Sequence, residues 1–145
     1  MTNEPLWLTL ARAEIGTKEA PGYANNPIVQ GYYVDAGAGK LPDSVPWCAA
    51  FVGAMLRRAG ISPSGYLAAR SYLKWGKVLS SPRLGCVVVF RRGGSPWQGH
   101  VAFFLSSRPG ALSVLGGNQD DAVNIKTYQS RLVLGFRWPL TGSAP

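Results

Sequence analysis

Two residues of this chain have side chains suited to nucleophilic chemistry. Cys48 lies in Pro46-Trp47-Cys48-Ala49-Ala50-Phe51, and His100, the only histidine among 145 residues, follows the Gly-rich stretch from Arg92 to Gly99. If Pro46 takes the first position of a helix, Cys48 falls at about its third residue. There, free backbone N–H groups and the positive end of the helix dipole favour a thiolate. Position alone suits a thiol packed in the core equally well. A lone histidine is usually an ordinary surface or core residue, but one at the start of a strand together with a poised thiol is the Cys/His arrangement of a nucleophilic enzyme. The imidazole then needs a third group on its second nitrogen. A hairpin turning at Arg108-Pro109-Gly110 sets Asn118 opposite His100, and one residue of slip brings Gln119 there instead. The bland reading of Gly116-Gly117-Asn118-Gln119-Asp120 is a turn.

The elements that must position these groups follow from the apolar pattern. Pro46 to Gly60 reads as a helix: Trp47, Phe51 and Met55 recur every four residues beside Cys48, Val52 and Leu56, Arg57 and Arg58 close the last turn, and Gly60 follows. Shorter helices are expected over Leu6–Ile15, after Pro5, and over Ile28–Val34, with a further one around Gly65–Gly76. Strands are expected at Gly85–Phe90, His100–Leu105, Ala111–Leu115 and Leu132–Trp138, separated by Gly, Pro, Ser and Asn. Helices first and strands later predict an α+β fold, with N-terminal helices packed on a C-terminal antiparallel sheet. Residues 1–140 read as one domain and Thr141–Pro145 as a loose tail.

Composition narrows the partners. Hydrophobic residues make up 46% of the chain and charged residues 15%, enough for one packed core. Lys and Arg number 15 against 7 Asp and Glu, a net charge of +8 that favours a polyanionic partner: nucleic acid, an anionic membrane surface or an acidic wall polymer. The basic residues are scattered pairs and singletons, without a block or helical stripe, which argues against nucleic acid. No apolar run is long enough to span a bilayer, and Met1-Thr2-Asn3-Glu4-Pro5 lacks a secretory pattern. Synthesis in the cytoplasm without a signal peptide and no stable membrane insertion are therefore expected. Two cysteines and one histidine match no metal motif, so neither metal nor other cofactor is expected.

Several strings together resemble a family. Val45-Pro46-Trp47-Cys48-Ala49-Ala50-Phe51-Val52, Ala69-Arg70-Ser71 with Trp75-Gly76, the Gly85–Phe90 strand, Gly99-His100-Val101, Leu115-Gly116-Gly117-Asn118-Gln119 and Gly135-Phe136-Arg137-Trp138-Pro139 are similar, in order, to those of phage-associated cell-wall peptidases of the CHAP and NlpC type. The resemblance implies a papain-like fold and a cysteine endopeptidase or N-acetylmuramoyl-L-alanine amidase that cuts peptidoglycan, as endolysins and tail lysins do. Carried over by position, it makes Cys48 the nucleophile, His100 the base and Asn118 or Gln119 the third member. Two departures stand out: Trp47 and Cys86 occupy positions where NlpC-type proteins usually carry Asp, and the third member is an amide rather than an acid. The expected partner is the peptidoglycan stem peptide, met by a monomer acting on the wall in the periplasm. Trp47, Trp97 and Trp138 are candidate cleft walls, Gln119 a further candidate contact to substrate, and Cys86 a buried structural thiol. The competing reading is a non-catalytic module for wall or polyanion, its two cysteines inert or paired.

Overall fold

The computed structural model describes residues 4–19, 26–37 and 47–140. Pro46 and the Thr141–Pro145 tail lie outside the described residues. Three helices precede a six-stranded sheet: α1 Leu6–Ala13, α2 Pro27–Asp35 and α3 Cys48–Arg58, then β1 Lys77–Leu79, β2 Val87–Arg91, β3 Gly99–Arg108, β4 Ala111–Gln119, β5 Ala122–Gln129 and β6 Val133–Trp138. The sheet order is β1-β6-β2-β3-β4-β5, and every neighbouring pair is antiparallel. The α+β architecture expected from the residues is therefore present.

Strand alternation gives the sheet two apolar faces. Val87, Val89, Val101, Phe103, Leu115 and Val123 form one cluster with the helices, while Cys86, Val88, Phe90, Ala102, Phe104 and Val114 form another, flanked by Tyr128 and Phe136. Helix α3 is buried from Cys48 to Leu56, and only its terminal arginines reach solvent. It can pack so closely because Gly53 faces α2, where a Cβ would come within 3.0 Å of Ala36 Cβ. At its outer end, Arg58 Nε bonds Asp35 Oδ2 at 2.7 Å. Helix α2 starts where Asn26 Oδ1 accepts from the Ile28 N–H, with Pro27 in the first turn.

Several elements differ from expectation, among them the short strand β1, which the residues did not announce. Over Gly65–Gly76 the chain forms only a 3-10 turn, Ala69–Lys74. Gly65 at φ +84° breaks the first half, and the Arg137 guanidinium takes the Leu73 carbonyl at 3.0 and 3.2 Å before the chain enters β1. Strand β4 continues to Gln119 and turns through Asp120-Asp121, at φ +54° and +62°, into β5. Within the sheet strand β5 pairs with β4, and its side chains at Ile125, Thr127 and Gln129 are exposed, which makes it an edge strand; an isolated bridge joins Ala122 to Lys18. Its N-terminal end is tied to the segment after α1: Gly16 N–H donates to Val123 O at 3.0 Å, Val123 N–H to Thr17 O at 2.8 Å and Glu19 N–H to Asp121 O at 2.9 Å.

Candidate active site

Cys48 is the first residue of α3 rather than its third, with Trp47 at the capping position. The first intrahelical bond runs from the Phe51 N–H to the Trp47 carbonyl, so the N–H groups of Cys48, Ala49 and Ala50 lie ahead of the helical ladder. Burial pushes the thiol above its ordinary value, while hydrogen bonds from the backbone at Val101, Ala49 and Cys48 and the charge of Arg92 oppose the shift. Those contacts set the sulfur between the start of α3 and the start of β3, one residue from His100.

His100 is buried, its ring flanked by Phe90 and Tyr128 with centroids 6.2 and 5.2 Å away. Nε2 lies 2.8 Å from Gln119 Oε1, and Nδ1 is buried with no hydrogen-bond partner. Loss of water around the ring lowers its pKa to about 4; the Gln119 bond opposes this, and the charges of Arg92 and Lys126 add to it. The resting pair is thus a neutral thiol and a neutral imidazole. Gly99 lets β3 enter at this point, since a Cβ there would stand 2.7 Å from the Phe90 carbonyl and 3.2 Å from Arg70 Cγ. Arg70 holds the preceding loop, its Nε donating to Gln98 O at 2.7 Å and its Nη2 to Ser95 O at 2.8 Å.

The residue that meets the imidazole is Gln119, not Asn118. Phe103 pairs with Leu115 and Phe104 with Val114, which continues to Asn118 opposite His100 as expected. Beyond Gly116, however, β4 carries a bulge: Gly116 pairs with Asn124 and Gln119 with Ala122, so Gly117 and Asn118 together oppose Val123. Asn118 sits there at φ +57°, and the extra residue turns Gln119 onto the face of Gly116, Ala102 and His100. The two glycines of this motif have separate uses. A Cβ on Gly116 would meet Gln119 Oε1 at 2.6 Å, and one on Gly117 would meet Phe51 Cβ at 2.6 Å and the Trp47 ring at 2.8 Å.

The chain matches the CHAP domain over residues 40–118, more than half its length. It belongs to the CHAP family. CHAP domains are typically peptidoglycan hydrolases, and that is the class of activity the match supports. The fold is similar to that of the wild-type endolysin LysIME-EF1, with a TM-score of 0.61 at 13% identity over 97% of this chain and 67% of that one. No curated protein sequence matches it.

Within this CHAP domain the tryptophans divide. Trp47 is wholly buried and forms no cleft wall: its ring stacks on Tyr32 at 5.8 Å and its Nε1 donates to Glu19 Oε1 at 2.9 Å, which satisfies the polar edge inside the core. Trp138 packs against Trp7 and the Arg83 guanidinium. Trp97 is 70% exposed and lines an open groove of about 600 Å³ with Tyr66, Arg70, Lys74 and Trp75. Because Arg70 also packs against Gly99, the groove lies beside the chain entering His100. Cys86 is buried in the far-side cluster, so the sheet separates it from Cys48, and both thiols are free. Among the described residues no three His, Cys, Asp or Glu side chains come together in a way that could hold a metal, and no helix is long and apolar enough to cross a membrane. Residue types and order led to Cys48 and His100, and the hairpin register led to Asn118, with Gln119 one residue of slip away; Asn124, whose bonds to Gln119 are described below, gave no signal, because it lies in a strand that the apolar pattern does not reveal.

Proposed function

We propose that the chain is a cysteine amidohydrolase that cleaves an amide bond of peptidoglycan, either within the stem peptide or between peptide and sugar. The observation that carries this reading is the buried imidazole, held through Nε2 by Gln119 and bare at Nδ1, next to the strand backbone that touches the Cys48 thiol. As the sulfur attacks the amide carbon, His100 Nδ1 takes the thiol proton. Backbone N–H groups at the start of α3 bind the developing oxyanion. The imidazolium returns the proton to the nitrogen as the C–N bond breaks and the amine leaves. Water, deprotonated by the same nitrogen, then attacks the thioester and releases the carboxylate and the free thiol. Gln119 carries no charge and acts by orienting the ring. The groove of Trp97 and Tyr66 would receive the peptide or the adjoining sugar, and the net charge of +8 favours an anionic wall.

The test is release of fragments from purified peptidoglycan, identified by mass spectrometry. Wild-type protein should release them, while Cys48→Ala and His100→Ala should release none at equal concentration and equal helicity. Undiminished release by Cys48→Ala would remove the cysteine mechanism. A binding module with inert thiols is the reading to expect if the wild type binds the wall but releases no fragments and its native thiols do not react with iodoacetamide. The same fragments distinguish amidase from endopeptidase by their new termini. A role in phage lysis, with the Gram-negative periplasm as the working compartment, completes the proposal.

A further inference from the structure

The mechanism requires His100 to carry its proton on Nε2 and not on Nδ1, and the bonds around Gln119 have a bearing on that choice beyond its contact with the ring. Gln119 Nε2 donates to the Asn124 main-chain carbonyl at 2.8 Å and to Asn124 Oδ1 at 2.9 Å. Asn124 Nδ2 donates back to the Gln119 main-chain carbonyl at 2.9 Å. A main-chain carbonyl can only accept, so each one favours one orientation of the amide that faces it, and the Asn124 side chain adds the second acceptor for Gln119 Nε2 and the return donor that complete the choice. The nitrogen of Gln119 must point to β5 and its oxygen to His100. An amide oxygen cannot donate, so the ring nitrogen it meets at 2.8 Å must. Turning Gln119 over would set Oε1 against both Asn124 oxygens, and turning Asn124 over would set Oδ1 against the Gln119 main-chain carbonyl.

We propose that Asn124 is a positioning residue that, through this reciprocal clasp with Gln119, selects the Nε2–H tautomer of His100 and so leaves Nδ1 bare towards Cys48. This rests on the cysteine hydrolase reading for its catalytic consequence, but the tautomer itself is a property of the resting protein. Asn124 lies across the Asp120-Asp121 turn from Gln119, five residues further along, which makes the β4–β5 hairpin part of the site.

The single histidine makes the measurement direct: long-range nitrogen–proton NMR on protein labelled with 15N-histidine reads the tautomer without overlap. Wild-type protein near pH 7 should show Nε2–H only. Asn124→Ala keeps the main-chain acceptor but loses the side-chain half of the clasp. It should bring up a second population protonated on Nδ1 and lower kcat about tenfold with KM little changed. Asn124→Asp sets an oxygen against the Gln119 main-chain carbonyl in place of the Nδ2 donor and should bring up the same second population. A folded Asn124→Ala protein with an unaltered Nε2–H signal would overturn the proposal. Should the variants fail to fold, the wild type suffices: the two Gln119 side-chain amide protons should exchange slowly with solvent, and fast exchange refutes the clasp. These readings need no substrate, so a failure of the peptidoglycan assignment would leave them standing. A wild-type ring protonated on Nδ1 would overturn the positioning role whatever the chain hydrolyses.

Discussion

Cys48 and His100 were legible as residues because few alternatives exist: two thiols, one of them, Cys86, at the head of the apolar run Val87–Phe90, and one imidazole. The third position was legible only to within one residue. Strand alternation assigns Asn118 to the ring, and the bulge that overrides it depends on a single positive φ that asparagine tolerates without announcing. Gln119→Ala should therefore cost far more wall hydrolysis than Asn118→Ala, measured as initial rate of fragment release, and the reverse order would show that the ring is oriented from Asn118. The imidazole also bears on stability. It is held neutral with a pKa near 4, whereas an unfolded histidine titrates near 6.5, so at pH 5 the unfolded chain binds more protons. Its contribution is complete above about pH 6.5 and is lost as pH falls towards and through 4, on the order of 3 kcal/mol in all. Melting temperatures measured across that window should fall steeply for wild type and less for His100→Gln. Equal slopes would mean that the ring is solvated.

At the scale of elements, the helix of Cys48 and the strand of His100 could be read from periodicity, since both are buried along most of their length and strongly apolar. Strands β1 and β5 could not. One has three residues, and the other, Ala-Val-Asn-Ile-Lys-Thr-Tyr-Gln, is an edge with four polar residues among eight and Ile125 on its exposed face, so its apolar pattern does not mark a buried strand. The Gly116-Gly117 pair joins the elements in opposite directions, and the two alanine substitutions should separate accordingly. Gly117→Ala drives a methyl into Phe51 and Trp47, which are fixed in the core, and should cost about 1–3 kcal/mol of stability. Gly116→Ala drives one towards the Gln119 amide as well as against the buried Ala102 Cβ at 2.9 Å, so beyond a loss of stability it should lower turnover in the protein that stays folded. Thermal melts beside rate measurements on both variants check this, and a Gly116→Ala protein of full activity would mean that the amide has room to move.

For the molecule as a whole, the α+β layering and the net charge were open to reading, whereas the groove was not, because the 3-10 turn and the loop ahead of β3 that form it are irregular chain. If the wall is the substrate, compartment decides toxicity. Expression in the cytosol should leave a Gram-negative host unharmed, and delivery to the periplasm by an added leader should lyse it only when Cys48 is intact, scored as loss of culture turbidity. Survival of periplasmic producers alongside inert purified walls would send the search to another amide. The exposure of Trp97 has an optical consequence. Two of the five tryptophans, Trp7 and Trp47, are sealed in the core, while Trp97 projects into solvent at the rim of the groove. Iodide should therefore quench mainly Trp97 fluorescence in the free protein. Wall fragments settling in the groove should protect that emission and shift it to the blue, giving a binding isotherm from the unlabelled Cys48→Ala protein. Trp97→Phe should remove most of the change and leave only what Trp75 in the same groove contributes, and quenching indifferent to saturating fragments would put the substrate on another surface.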